Sequence, residues 1–467
     1  MMGTKPTHPY LPSSAAEVKA QMMNALGLRD VGELYEDVPR EVRLKEKLSL
    51  PGPMSEFEVK RHVEQLLSVN KGVPEIRSFL GGGCWNHYVP AAVSEISTRS
   101  EFVTAYTPYQ AEISQGMLQS LFEYQSLICQ LTAMDYANSS LYDWASALGE
   151  AARMATRATQ RTEFLVPHHI HPDRLATLRT YSEPAGITIK EVRNDVDTGQ
   201  IDLADLERKM TKDCSAVYVE TPSYLGCVQT RIQEVAEIAH SRGALFVAGV
   251  DLTSLGLLKP PGEYEADIAI AEGQCLGGAM NYGGPLLGVF TCKGERLLRH
   301  MPGRIIGITT TKDKTQRAYC MVLQAREQHI RREKATSNIC TNEALCALTA
   351  ATYLSLLGAQ GMKQLSEVIL SKTYYAIREL SKLKALRVPL MKAPHFKEFT
   401  VNFDKTGRKV KELELALIKK GIQIGAPTTE SIPELGQTAI FSFAETHSKE
   451  DIDALCAALR EILEAQR

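Results

Sequence analysis

The chain has no unbroken apolar run near the roughly 20 residues that a membrane-spanning helix needs. Its longest apolar stretch, Ala244 to Leu258, is interrupted by Asp251, Thr253 and Ser254. Neither charge dominates: 53 Lys and Arg stand against 55 Asp and Glu, a net of −2, so neither nucleic acid nor an anionic membrane is an expected partner. The ten cysteines, spread from Cys84 to Cys456, include no C-x-x-C pair. A chain of this length does not need disulfides to fold, so reduced thiols and a cytoplasmic setting are expected. Met1 to Tyr10 has no apolar core for a signal peptide, and Pro6 and Pro9 interrupt it. Internal repeats, low-complexity tracts and long linkers are missing. What is present is an ordinary globular composition, 44% apolar and 23% charged over 467 residues, enough for a large core and two or three domains.

Residues 1–75 read as a helical arm. Ser13-Ser14 is a candidate cap for a helix through Met22-Met23, with Gly27 as its stop, and Val31 to Tyr35 is a second short piece. Pro51-Gly52-Pro53 breaks the chain, and Ser55 to Val69 predicts a third helix with Phe57, Val59, Val63, Leu66 and Leu67 near one face. Residues 76–335 alternate short apolar runs (Phe164–Val166, Ile187–Ile189, Ala216–Val219, Ala244–Val247, Ile268–Ile270, Leu287–Phe290) with helical periods such as Ile232 to Ser241. That alternation predicts an α/β domain with a mainly parallel sheet, whose ligands sit at the carboxyl ends of the strands. Residues 336–467 read as a small α/β domain. Helices through Leu357 and from Met362 to Leu383 precede a strand at Phe399–Phe403, a helix at Val410–Lys420, a strand at Thr438–Phe443 and a helix at Lys449–Ala465.

Several segments carry polar groups in patterns that suit a ligand. Tyr106-Thr107-Pro108-Tyr109-Gln110 packs two rings among hydroxyl and amide groups before a helix from Gln115 to Cys129. Such a loop can hydrogen-bond a small polar ligand while its rings exclude water, or it can be a plain proline turn. Glu220-Thr221-Pro222-Ser223-Tyr224-Leu225-Gly226 ends a strand, where it is either a ligand-facing loop or a turn. Arg326 to Lys334 holds five basic side chains in nine residues, which also suits a solvated helix face with pairs such as Glu327–Arg331. Thr336, Ser337 and Asn338 follow, with Ser337 and Asn338 expected to open the next helix, a start that suits a phosphate. His168-His169-Ile170-His171 is expected to be a polar loop after Val166 and not a metal site, since adjacent strand residues point to opposite faces. Cys275, with no basic neighbour in sequence, is expected to be inert, and Lys259 and Lys293 to lie in surface turns.

Taken together these stretches resemble one family. Tyr106 to Gly116 matches Y-T-P-Y-Q-x-E-I-S-Q-G, Gly81 to Pro90 matches G-x-G-x-x-N-x-x-V-P, and Asp135 to Asp143 is close to D-x-A-N-A-S-L-Y-D. Arg326 to Thr341 follows R-E-Q-H-I-R-R-x-K-A-T-S-N-I-C-T almost residue for residue. All are signatures of the P-proteins of the glycine cleavage system, and the likeness extends from Tyr10 to the C-terminal helix. Glu333 to Ile339 also resembles the E-A-G-T-P-N-I segment of cysteine desulfurases, whose threonine reaches the cofactor phosphate of the neighbouring subunit; Thr336 matches it.

The resemblance is most informative where it fails. Gly273 to Pro285 is similar to the loop H-K-T-F-x-x-P-H-G-G-G-G-P, whose lysine forms the Schiff base with pyridoxal phosphate. Counted back from Pro285, that lysine falls on Gln274, whose amide is not nucleophilic enough for the role. Val247-Ala248-Gly249-Val250-Asp251-Leu252 is similar to V-D-G-A-N-L, whose aspartate pairs with the pyridinium nitrogen; Ala248 takes that place, 26 residues before Gln274. Asp251, three residues on, is expected to bond to loop amides, because an unpaired carboxylate there is costly to bury. Trp144 stands where glycine is usual and is expected to fill the vacant pocket.

The resemblance therefore implies a fold type I pyridoxal-enzyme scaffold in the α chain of a two-subunit P-protein, inactive by itself. A β subunit would carry the lysine and the pyridoxal phosphate. The pair would decarboxylate glycine and pass the aminomethyl group to the lipoyl arm of the H-protein, in the cytoplasm and as an α2β2 heterotetramer. Tyr106, Thr107, Tyr109 and Gln110, with Thr336, Ser337 and Asn338, would complete the β subunit's site from across the interface. The competing readings are a self-sufficient pyridoxal enzyme of desulfurase or aminotransferase type using another lysine, and a purely structural partner.

Overall fold

The computed structural model describes residues 8, 10–46, 48–73, 75–104, 107, 108 and 110–464. The chain divides into two compact units at Lys71/Gly72. In the first, α1 (Ala16–Leu26) ends on Gly27, whose φ of +68° is the left-handed cap that glycine takes without strain. Ser13 and Ser14 fall in a preceding 3-10 turn, so Ala15 takes the cap position with no side-chain bond. α2 (Glu56–Leu67) opens on a reciprocal capping box between Ser55 and Glu58. Phe57, Val59, Val63, Leu66 and Leu67 are all exposed on it.

The second unit is built on a seven-stranded sheet. After α3 (Gln115–Thr132), β1 (Tyr136–Ala137) and α4 (Trp144–Thr159) come β2 (Glu163–Pro167), α5 (Pro172–Ser182), β3 (Thr188–Val192) and β4 (Cys214–Thr221). Then follow α6 (Ile232–Ser241), β5 (Leu245–Val250), β6 (Ile268–Glu272) and β7 (Gly288–Cys292). The strand order is β1-β7-β6-β5-β4-β2-β3, parallel from β3 to β6 and antiparallel at β7 and β1. Every residue of β4, β5 and β6 is buried, as expected of a parallel sheet covered on both faces. Strand alternation divides the side chains: Tyr218, Val247 and Ile270 join the core under α4, whereas Val217, Val219, Phe246 and Ala248 join Val235, Ala236 and Ala239 of α6.

An antiparallel hairpin of β8 (Ile305–Thr310) and β9 (Arg317–Val322) follows, which the strand pattern of the sequence does not reveal. Next, α7 runs from Ala344 to Leu380, and the break expected after Leu357 is a kink at Gly358, with φ +59° and ψ −175°. By length and composition α7 could cross a membrane, but Ala347, Ala350 and Leu354 sit in the large core and Ala376 and Leu380 in a second one. That second core lies on an antiparallel sheet of β10 (Glu398–Asn402), β11 (Ala426–Pro427) and β12 (Thr438–Ser442), in the order β10-β12-β11, with α8 (Val410–Ile418) and α9 (Lys449–Glu464).

Candidate functional site

At the carboxyl ends of β4, β5 and β6, where such a sheet presents its ligand, the polar groups are already paired with one another. Gln274 lies two residues past β6 and is 2% exposed. Its amide nitrogen donates to the carbonyls of Trp85 (3.0 Å) and Gly278 (2.7 Å), and its amide oxygen accepts from the Trp85 N–H (3.0 Å). Both amide donors and the amide oxygen are thus engaged by two backbone segments. The neighbouring Glu272 carboxylate accepts from the N–H groups of Gln274, Leu287 and Trp144. Burial pushes its carboxyl up to about 8, against the opposing pull of those three donors.

The residue that organises the site is Lys397, which the sequence reading did not single out. It is fully buried just before β10. Its ammonium lies 2.8 Å from the Asp251 carboxylate, 3.0 Å from His87 Nε2 and 4.1 Å from the centroid of the Trp85 ring. His87 Nδ1 in turn meets Glu445 at 2.7 Å. Burial and the nearby ammonium hold the His87 pKa below its ordinary value. The imidazole is therefore neutral, accepting from Lys397 and donating to Glu445. Burial alone would raise the Asp251 pKa, but Lys397 and the Thr253 hydrogen bonds outweigh it and keep the acid ionised. Asp251 does accept from the loop amide of Thr253 (2.9 Å), as expected, but its charge is balanced by a lysine from a distant part of the chain.

Ala248 is buried in the cluster with Val219, Phe246 and Ala269, on the α6 side of the sheet. Its neighbour Gly249 faces Trp144 and Tyr218: a Cβ on Gly249 would stand 2.5 Å from the Tyr218 hydroxyl and 2.9 Å from the Trp144 ring. β5 itself, Leu245 to Val250, carries no carboxylate at all. Trp144, the first residue of α4, takes up the space. Its indole N–H donates to Tyr218 Oη (3.0 Å), Tyr218 donates to Glu220 (2.8 Å), and Arg174 bonds the same carboxylate (2.9 Å) while lying 3.6 Å over the Trp144 ring.

Pyridoxal phosphate does not fit here. The cleft between Trp85, Trp144, Arg174, Asp251 and Glu398 encloses about 10 Å³, the room of roughly one water, where a cofactor pocket needs about 300 Å³ or more. A cavity of about 260 Å³ beside Trp144 is lined by Asp143, Asp173 and Glu272 as well as by His171 and Arg174; the Asp143 and Asp173 carboxylates oppose a phosphate, and the Arg174 guanidinium is already paired with Glu220. A third, of about 300 Å³, runs past Val89, Ser94, Gly277, Asn281 and Leu287, and among the described residues no cationic side chain lies on its wall.

The other candidate residues lie elsewhere. Thr107 is half-buried and Gln110 exposed at the start of a 3-10 turn, Ala111–Ile113; Tyr106 and Tyr109 lie outside the described residues. Thr336 is half-buried, with its hydroxyl on the carbonyl of Arg326 at 3.3 Å. Ser337 is buried and donates to Glu150 (2.8 Å), and Asn338 is exposed. These two do not open a helix. The chain stays extended until Ala344, because the Ser337 hydroxyl binds Glu150 and the Ile339 N–H, and Asn342 ties the segment to the Ser139 carbonyl. Glu327 meets His329 and not Arg331, since the helix there is only Gln328–Arg331. Lys259 is exposed, and Lys293 donates to the Gly262 carbonyl. Burial pushes the Cys275 thiol up.

A mainly parallel sheet of this order, with a site at its carboxyl edge and a smaller antiparallel sheet after a long helix, is the architecture of fold type I pyridoxal-phosphate enzymes. A cysteine desulfurase from Thermococcus onnurineus superposes with a TM-score of 0.62 over 87% of this chain and 98% of its own, at 16% identity. A crystal structure of glycine decarboxylase (P-protein) of the glycine cleavage system, in inhibitor-bound form, matches more fully, with a TM-score of 0.85, 36% identity, and 98% and 100% coverage. Residues 8–459 match the family described as glycine cleavage system P-protein. The probable glycine dehydrogenase (decarboxylating) subunit 1 of Staphylothermus marinus is 45% identical over 98% of both chains. That of Pyrococcus furiosus is 48% identical over 97% of this chain and 99% of its own. The chain belongs to the glycine cleavage system P-protein family.

Proposed function

We propose that this chain is the α subunit of a two-chain glycine decarboxylase, with a β subunit that supplies the Schiff-base lysine and holds the pyridoxal phosphate. The complex, an α2β2 heterotetramer of the cytoplasm, decarboxylates glycine and transfers the aminomethyl group to the lipoyl group of the H-protein. One observation carries this reading: on a P-protein scaffold, the carboxyl edge of the sheet is filled by Trp144 and Lys397, and Gln274 is held by backbone on every side. When bound in the partner, the cofactor supplies the electron sink for loss of CO2. This chain supplies surface and polar groups to that site. The exposure of Gln110 and Asn338 and the partial exposure of Thr107 and Thr336 support a role at the interface, and Tyr106 and Tyr109 adjoin Thr107 and Gln110 in sequence. Ser337, bound to Glu150, braces that segment from within. The free cysteines fit a reducing compartment.

The test is direct. Purified alone and mixed with pyridoxal phosphate near neutral pH, the chain gives no imine absorption band and no borohydride-trapped adduct. Adding the β subunit restores both the band and glycine decarboxylation. An adduct trapped on Lys397, or on any lysine of this chain alone, overturns the assignment.

A further inference from the structure

His168 and His169 would diverge if they lay in a strand. β2, however, ends at Pro167, so the alternation no longer applies beyond it. Both rings turn toward Glu434, which lies in the 3-10 turn Pro433–Leu435 between β11 and β12. His168 Nε2 is 2.8 Å and His169 Nε2 3.4 Å from the same carboxylate oxygen, Glu434 Oε1, and the three atoms lie within 4.8 Å of one another. Two imidazole nitrogens converge on one oxygen. The other nitrogen of His168 is fixed by Glu191 at 2.7 Å, the arrangement in which a carboxylate orients a metal-bound histidine. His169 is 3% exposed, and its Nδ1 is buried without a hydrogen-bond partner among the described residues.

We propose that His168 Nε2, His169 Nε2 and Glu434 Oε1 form a site for a divalent transition ion, zinc in the first instance. Zinc held at about 2.0–2.1 Å by nitrogen and oxygen places its ligand atoms roughly 3.3 Å apart in a tetrahedron, and the two spacings to Glu434 bracket that value. Imidazole and carboxylate together suit zinc better than calcium or magnesium, which prefer oxygen alone. The fourth position is open to water, because the His168 and Glu434 side chains are 47% and 41% exposed; the ion has an entry path. Its effect is mechanical. It clips the turn beside the small antiparallel sheet to the carboxyl edge of the large one.

The experiment is a zinc titration of the chelator-treated full chain against a chromophoric competitor, with thermal unfolding read in parallel. The wild type binds one zinc whose affinity falls at least tenfold in Glu434→Gln and in His169→Gln, and about 10- to 100-fold in Glu191→Gln through loss of ligand orientation. Zinc raises the unfolding midpoint of the wild type and not of Glu434→Gln. X-ray absorption at the zinc edge shows nitrogen and oxygen ligands with no sulfur. Unchanged affinity in all three variants, sulfur bonded to the zinc, or no zinc bound by the wild type overturns the site.

Discussion

Lys397→Met tests the central feature of the site. The ammonium is fully buried and pairs at 2.8 Å with a carboxylate 7% exposed, so removing it leaves Asp251 charged and unbalanced in the interior. Breaking a buried pair from one side costs about 3–5 kcal/mol. Loss of the cation over the Trp85 ring adds a further share, about 2 kcal/mol for a desolvated contact. Removing the carboxylate charge as well, in Lys397→Met with Asp251→Asn, relieves the first cost and not the second, since the asparagine still accepts from the Thr253 amide. The double variant is therefore about 3 kcal/mol more stable than Lys397→Met alone. Urea unfolding followed by tryptophan fluorescence is suited to this, because the only two tryptophans, Trp85 and Trp144, both flank the site. If the two substitutions add without coupling, or if Lys397→Met unfolds within about 0.5 kcal/mol of the wild type, the pair does not hold the site together.

Four other outcomes are expected. Gln274→Lys does not restore cofactor binding, by the same imine absorption, and lowers the unfolding midpoint, because an ammonium cannot accept the Trp85 N–H. Gly249→Ala destabilises by about 1–3 kcal/mol through overpacking against Tyr218 and Trp144; an unfolding midpoint equal to wild type would show that the two rings give way. The Glu445 carboxyl, which burial raises but His87 and the Tyr88 N–H bring down to about 2 from an ordinary 4.5, contributes about 3 kcal/mol that is complete above pH 4.5 and lost as pH falls toward 2. His87, buried neutral, adds a separate loss that begins as pH falls below about 6.5, because it takes up a proton on unfolding; acid unfolding of Glu445→Gln shows a shallower slope between pH 4.5 and 2. Thr336→Ala lowers the decarboxylation rate of the α/β complex without dissociating it, checked by activity and by gel filtration; a wild-type rate removes Thr336 from the shared site.

The large sheet is readable in the sequence because its strands are buried on both faces, and runs such as Ala216–Val219 and Ile268–Ile270 are apolar throughout. β8 and β9 are not, because their outer residues are polar and exposed, as at Thr309, Thr310 and Arg317. Gln274 stands out because its glycine-rich loop resembles the family's lysine loop with glutamine in the lysine's place, a signal contained in one short stretch. Lys397 does not: its partners come from two stretches far from it, Trp85 with His87 in one and Asp251 in the other, and no spacing in the chain joins either to it. A lysine flanked by Phe396 and Glu398 just before an apolar strand is the one available hint that a charge is carried inward. Ser337 and Asn338 mislead for the opposite reason. Their side chains suit a helix start, but a buried glutamate from α4 captures the serine first.

The filled edge of the sheet also bears on descent. A pocket that has lost a single reactive group can regain it by a single substitution. Here Gln274 joins two backbone segments, Trp144 carries Arg174, and Lys397 neutralises Asp251, so any one reversal damages the molecule before it brings a benefit. Packing of this kind acts as a ratchet: reopening the cavity needs several changes at once, so a chain packed this way does not return by single steps to holding a ligand there.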